Sequence, residues 1–249
     1  MTTSIPVVVA GASGKTGREV GKAILTAHDM ELVGAIAAHH AGAALKDIWS
    51  EPVSLIVQTN LAEIDVPYAV LVDFTEHQSS YQRVREAITR RWDIVVGTTG
   101  FTSTEREIIG SLVRQYQVGA VMIANFSLGA WVMEQLAKQA SRYFQKAEIL
   151  EAHADTKRDK PSGTAGRMAK ILAESWEVDS KAIPIHSVRL PGMVAHQAVV
   201  FGTSGQILTL RHDVHDRTAY AQGVLASVRK VSDFRGRVVE DLAEIIDPA

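Results

Sequence analysis

Short apolar runs alternate with amphipathic stretches along the first half of the chain. Val7-Val8-Val9-Ala10, Glu31–Ile36, Ala69–Phe74, Asp93–Val96 and Ala120–Ile123 have strand length and are rich in β-branched or small apolar residues. Helical periodicity lies between them: after residue 17, with Val20, Ala23 and Ile24 on one face, and again near 78–90 and 104–116. Thr102 followed by Glu105 predicts a capping box at the start of the last of these. Strands apolar on both faces and alternating with helices predict a doubly wound parallel sheet.

The pattern changes after residue 127. A helix is expected near 129–143, then the strand Ala147–His153, then a helix over 162–176. Strand-like runs follow near 184–190, 195–201 and 206–212, with Gly202-Thr203-Ser204-Gly205 as the hairpin turn between the last two. Helices near 216–230 and 237–246 close the pattern. The fold class is therefore α/β. A Rossmann-like parallel sheet over residues 1–127, completed by 216–249, is joined to an α+β domain over 128–215 with a mixed, largely antiparallel sheet.

Composition narrows the functions open to such a chain. Its 249 residues carry a net charge of −2 with 22% charged side chains, so no basic field calls for nucleic acid or an anionic membrane. It has no cysteine, which removes disulfides, thiolate catalysis and Cys-ligated zinc. The start Met1-Thr2-Thr3-Ser4-Ile5-Pro6 lacks a basic, apolar leader, and no apolar run approaches the ~20 residues of a membrane helix. A soluble, cytoplasmic protein is expected.

Gly11-x-x-Gly14-x-x-Gly17 follows the first strand and opens a helix, the context of a dinucleotide loop. A mononucleotide P-loop needs four residues between its first Gly and a Gly-Lys-Ser/Thr, and here only two intervene. The second strand should end at the residue that reads the adenosine ribose. Here it runs into Ala37-Ala38-His39-His40 with no acid, which suits the 2′-phosphate of NADPH; the alternative makes both histidines plain surface residues.

Chemistry-bearing residues concentrate between Glu151 and Ala165. His153, Lys157, Arg158 and Lys160 precede Pro161-Ser162-Gly163-Thr164, which reads as a helix start with Pro in the first helical position and a Ser or Thr cap. The N–H groups of Ser162, Gly163 and Thr164 would then face an anion at the positive end of the helix dipole. Period-2 spacing puts Glu151 on the same face as His153, where it can orient the ring. Arg158 and Lys160 are candidate cations to perturb Lys157, and Asp159 reads as a loop-fixing or neutralising group.

Together these segments resemble the dihydrodipicolinate reductases (4-hydroxy-tetrahydrodipicolinate reductases) of the lysine and diaminopimelate pathway. The resemblance runs through the Gly11–Gly17 loop, Val72-Asp73-Phe74-Thr75, Gly97-Thr98-Thr99-Gly100-Phe101, Ala124-Asn125-Phe126-Ser127-Leu128-Gly129 and Pro161–Ala165. It continues through Arg189-Leu190-Pro191-Gly192, His196, and Leu208–Asp213 with Arg217 after it. It implies that Gly11, Ala12, Ser13, Gly14, Lys15, Thr16, Gly97, Thr98, Thr99, Ala124, Asn125, Phe126 and Ser127 line an NADPH or NADH site; His39 joins them as the candidate donor to a 2′-phosphate from the strand-two reading above. It further implies that His153 is the acid/base histidine, that Lys157 is the proton donor, and that Gly163 and Thr164, beside Ser162, hold a carboxylate of a cyclic dicarboxylate imine. A homotetramer joined through the second sheet, or a dimer, is implied as well, as is hinge motion near 125–130 and 213–218.

Three positions depart from the family pattern. Ala154 replaces a second histidine, Lys160 stands where a small residue is common, and no acid follows strand two. These departures keep two other readings open: a weakened paralogue that binds NADPH and a dicarboxylate, and a reductase of a related cyclic imine. A short-chain dehydrogenase is disfavoured because no tyrosine has a lysine four residues later. No metal is expected, since strand alternation separates His212 from Asp213 in the cluster with His215 and Asp216. Arg189 and Arg217 read equally as substrate or interface residues, and Trp92, Trp131 and Trp176 as core or interface aromatics.

Overall fold

A computed structural model describes residues 4–247. Met1, Thr2 and Thr3 of the leader reading, and the last two residues of the 216–249 segment, lie outside the described residues. The chain divides into two compact units: residues up to Phe126 together with those from Tyr220 onward, and Ser127–Ala219 between them.

In the first unit β1 (Ile5–Ala10), α1 (Lys15–Thr26), β2 (Met30–Ile36), α2 (Leu45–Trp49), β3 (Val70–Asp73), α3 (His77–Thr89), β4 (Asp93–Val96), α4 (Ser103–Tyr116) and β5 (Ala120–Met122) alternate; all but the short α2 are expected from the sequence. The strands pair in parallel. Ala10 pairs with both Ile36 and Asp73, Asp73 with Val96, and Val96 with Met122, so the carboxyl ends of five strands share one rung. The loops after those strands are therefore gathered along a single edge, where ligands of open α/β sheets bind. Val8, Leu71 and Ile94 pack with Val84, Ile88, Ile109 and Val113 from α3 and α4, and Val7, Val9, Val72 and Val95 on the other face are buried as well, so the central strands are apolar on both faces. The capping box forms: Thr102 Oγ1 accepts from Glu105 N, and Glu105 accepts from Thr102 N.

The second unit contains α5 (Leu128–Ala140), β6 (Ala147–His153), α6 (Gly163–Trp176), β7 (Ile185–Arg189), β8 (Ala195–Thr203) and β9 (Gln206–Val214). Its sheet runs β7-β6-β8-β9, with β6 and β7 parallel and the other pairs antiparallel. One face is covered by Met133, Ala137, Met168 and Leu172, which pack with Ile149, Val199 and Phe201. On the opposite face Leu150, Val188 and Ile207 are exposed.

Three boundaries differ from the sequence reading. Thr203 pairs with Gln206, so the hairpin turn is Ser204-Gly205 alone, with Gly205 at φ +81° supplying the left-handed position. Residues 217–220 form a 3₁₀ turn ahead of α7 (Ala221–Lys230). The expected helix over 237–246 is instead a short strand, β10 (Val238–Val239), followed by one turn, α8 (Ala243–Ile246). Val238 and Val239 pair with Ala120 and Val121 and add a sixth strand at the sheet edge. Long-range pairing outweighed a local spacing that fitted a helix.

Candidate active site

The first unit offers a loop shaped for a pyrophosphate. Gly11 takes φ +85°, and a Cβ there would lie 2.5 Å from the Phe74 carbonyl oxygen. A Cβ on Gly17 would lie 2.2 Å from the Gly11 carbonyl oxygen, so only glycine lets the helix sit against the loop. Gly14 caps α1 without a side-chain hydrogen bond, and the first turn holds no acid. The first N–H groups of α1, from Lys15 and Thr16, lack intrahelical acceptors by geometry and suit an anion. Gly11 N and Ala12 N donate to the Ile36 carbonyl, and Gly14 N to that of Gly11, so these residues shape the cradle rather than donate to a ligand. A nicotinamide dinucleotide fits this donor set.

Two devices under the loops were not evident from local sequence. Trp49, 1% exposed, donates its indole N–H to the Ala12 carbonyl at 2.8 Å and occupies the space that a Cβ on Gly21 would take. Asp73, fully buried, accepts through Oδ1 from Thr75 N, Thr75 Oγ1 and Thr98 Oγ1 at 3.0, 2.6 and 2.9 Å. Its Oδ2 accepts from Arg83 at 2.7 Å. Asp73 thus ties the loops after β3 and β4 to α3.

The remaining nucleotide candidates fall into two groups. Thr99, Ala124 and His39 are exposed on loops after β4, β5 and β2, and Asn125 is half-buried. Thr98 is engaged with Asp73, and Gly97 lies where a Cβ would strike the Phe74 ring at 2.1 Å. Phe126 is 1% exposed and meets Phe74 edge-on, which makes its side chain core. Ser127, in the second unit, caps α5 by accepting from Ala130 N.

The second unit presents the acid–base groups. β6 places Glu151 and His153 on one face, with His153 Nδ1 and Glu151 Oε2 2.5 Å apart. Arg189, at the end of β7, grips both Glu151 oxygens at 2.9 and 2.8 Å. With its side chain 5% exposed, Arg189 is an internal clamp on Glu151 within this unit. Lys157 Nζ pairs with Asp159 at 2.8 Å, so its charged partner is a carboxylate and not Arg158 or Lys160, both of which are exposed. Burial lowers the His153 pKa more than the adjacent Glu151 carboxylate raises it, with Lys157 and Arg189 adding to the fall. Burial pushes the Glu151 carboxyl up, but hydrogen bonds from Arg189, Ser187 and His153 outweigh it and leave it below its ordinary range.

Two details of the helix start are corrected. Ser162 is the N-cap of α6, its Oγ accepting from Ala165 N at 3.2 Å, so Gly163 is the first helical residue and Pro161 precedes the cap. Ser162 N also donates to Glu151 Oε1, which removes it from the anion-binding set. Gly163 is exposed, and a Cβ there would meet nothing within 4 Å, so space lies in front of the first turn; Thr164 is half-buried beside it. His212 and Asp213 lie on opposite faces: the former pairs with Gln197, while the latter binds His196 at 2.8 Å. Among the described residues no group of three or more His, Cys, Asp or Glu is placed to hold a metal. No helix among them is long and apolar enough to cross a membrane.

Comparison with known proteins joins the two units. Residues 5–126 match the family described as dihydrodipicolinate reductase, N-terminus, and residues 129–245 match dihydrodipicolinate reductase, C-terminus. The 4-hydroxy-tetrahydrodipicolinate reductase of Synechococcus elongatus is 42% identical, over 96% of this chain and 97% of its own. That of Trichormus variabilis is 40% identical, over 94% and 95%. The dipicolinate-bound dihydrodipicolinate reductase from Paenisporosarcina sp. TG-14 superposes with a TM-score of 0.81 at 31% identity, covering 98% of this chain and 100% of that one. With a glycine cradle in one unit, a buried acid–base cluster in the other and near-complete coverage by both halves of one family, the chain belongs to the dihydrodipicolinate reductases.

Proposed function

We infer that this chain is a 4-hydroxy-tetrahydrodipicolinate reductase, reducing a cyclic dicarboxylate imine to tetrahydrodipicolinate in lysine and diaminopimelate synthesis. The observation that carries the reading is the second unit's cluster: His153 on ionised Glu151, Lys157 on the adjoining turn, and the open start of α6 at Gly163 and Thr164. A reduced nicotinamide, when bound, supplies the hydride for the ring. The residues of the first unit that would hold that donor are Lys15 and Thr16, with Ser13, toward the pyrophosphate, and Thr99, Ala124 and Asn125 on the other loops of the same sheet edge. In the second unit Gly163 and Thr164 hold a ring carboxylate through backbone N–H and hydroxyl groups. Lys157 Nζ holds the proton that balances hydride addition, and His153 serves as the acid–base partner.

NADPH is the favoured cofactor, because no acid follows β2 to repel a 2′-phosphate and the exposed His39 can donate to one. The exposed sheet face bearing Leu150, Val188 and Ile207 supports assembly of a homotetramer, with a dimer as the smaller alternative. A reducing cytoplasm suits a biosynthetic enzyme of this kind. The test is a coupled assay: pyruvate, aspartate semialdehyde and the upstream synthase are supplied, and loss of nicotinamide absorbance is followed with each cofactor. Oxidation faster with NADPH than with NADH is expected. No oxidation with either would overturn the reductase reading.

A further inference from the structure

Arg189 links Glu151 to the turn that carries Lys157. Through Nη1 and Nη2 it holds both oxygens of Glu151, and Nη2 also donates to the Asp159 backbone carbonyl at 2.7 Å. Asp159 is the residue whose carboxylate pairs with Lys157. Glu151 has a donor from the site on each oxygen besides Arg189: Ser162 N–H at the cap of α6 on Oε1, and His153 Nδ1 on Oε2. One guanidinium and one carboxylate therefore connect the histidine, the lysine turn and the helix start.

We propose that Glu151 and Arg189 are positioning residues for the reduction: they fix His153 with its proton on Nδ1, leaving Nε2 as the lone-pair acceptor that faces away from Glu151, and they hold the Lys157 turn against the same clamp. This rests on the reductase reading given above.

The hydrogen-bond inventory forces the tautomer. An ionised carboxylate only accepts, and both Glu151 oxygens are turned to donors, so the hydrogen in the His153–Glu151 contact belongs to the ring. The alternative, a protonated Glu151 donating to Nδ1, would set an uncharged acid against a bidentate guanidinium at 1% exposure. The charged groups acting on the ring are Glu151, Lys157 and Arg189, and burial lowers the His153 pKa, which favours the neutral ring. A buried ion pair contributes little net stability, because desolvation offsets the attraction. Holding a ring and a turn in register is what this one supplies.

Two arms test the proposal. In the unliganded full chain, ¹⁵N spectra of labelled histidine, with the His153 signals identified by their loss in His153→Asn, should show Nδ1 protonated and Nε2 bare. Glu151→Gln should shift the proton toward Nε2, since the amide NH₂ can be turned to the ring. In the coupled assay Glu151→Gln should lower kcat by on the order of 10²-fold, the scale of a positioned acid–base group, with KM for NADPH unchanged. In the His153→Asn background the same substitution should cost almost nothing further, because it acts through the ring. Arg189→Lys should retain more activity than Arg189→Met while keeping the Nδ1 tautomer. An unshifted tautomer in Glu151→Gln, or an equal loss of kcat with and without His153, overturns the proposal. If Glu151→Gln fails to fold, the Arg189→Lys and Arg189→Met pair decides in its place, and equal activity in the two counts against the clamp. Failure of the unaltered chain to turn over strikes the reductase reading instead, and the spectra still decide the tautomer.

Discussion

Replacing Asp73 with Asn should separate the two jobs of its carboxylate. The amide oxygen can stay at the Oδ1 position and keep the bonds from Thr75 and Thr98, while the NH₂ is left facing the Arg83 guanidinium, donor against donor. Stranding one member of a buried ion pair costs ~3–5 kcal/mol. Arg83 is 13% exposed and keeps a 3.1 Å bond to Thr75 Oγ1, so the expected loss is at the low end, about 3 kcal/mol. For a protein of this size that lowers Tm by roughly 6–12 °C in differential scanning calorimetry. NADPH affinity, measured by titration calorimetry, should fall with it because the loops after β3 and β4 lose their common anchor. Arg83→Met in the Asp73→Asn background should recover at least about 1 kcal/mol, the coupling expected of side chains in contact. A Tm within about 2 °C of the parent, or costs for the two substitutions that simply add, would refute the reasoning.

Trp49→Phe leaves the Ala12 carbonyl without its buried donor and opens a small void, a loss of about 2–4 kcal/mol with weakened NADPH binding; unchanged urea denaturation and affinity would show that the indole is only filler. Lys157→Ala should lower kcat by on the order of 10²-fold or more in the coupled assay, and near-full activity would remove Lys157 as the proton donor. Ala154→His should lower KM for the dicarboxylate if the departure is a simple loss of a contact, whereas an unchanged or higher KM would point to a reshaped pocket. The hydrogen bond from Arg229 lowers the Asp29 pKa to about 2. A carboxyl depressed on folding stabilises the protein above its unfolded pKa, and the contribution fades as pH falls from about 4 toward 2. Asp29→Asn should therefore flatten stability across that window, by no more than about 1 kcal/mol for so exposed a pair, and an unaltered acid limb in urea titrations at each pH would refute it.

The parts of the fold that were legible in the sequence are those set by local periodicity. β3, β4 and β5 are apolar on both faces, and the Thr102–Glu105 box marks its helix start within four residues. β10 was not legible, because two valines read as helix or strand according to whether Ala120 and Val121 are beside them. At the candidate site the motif residues were visible but their divisions of labour were not. Ser162 looked like an anion donor until Glu151, eleven residues earlier, took its N–H. Arg189 could be assigned only once β6 and β7 were paired, because its partner lies 38 residues away. Asp73 likewise stood inside a recognised motif, but its work as a knot between loops depends on Arg83 and Thr98 arriving in space.

The sixth strand also has a consequence for how the chain is made. Its partner, β5, precedes the whole of Ser127–Ala219, while β10 follows it. On a ribosome, which releases chain from the N-terminus at ~5–20 residues per second, the nascent dinucleotide sheet must wait with the flank of β5 bare until a complete intervening unit has emerged. Over that interval the edge of β5 stays unsealed, and a bare strand edge is open to pairing with another chain.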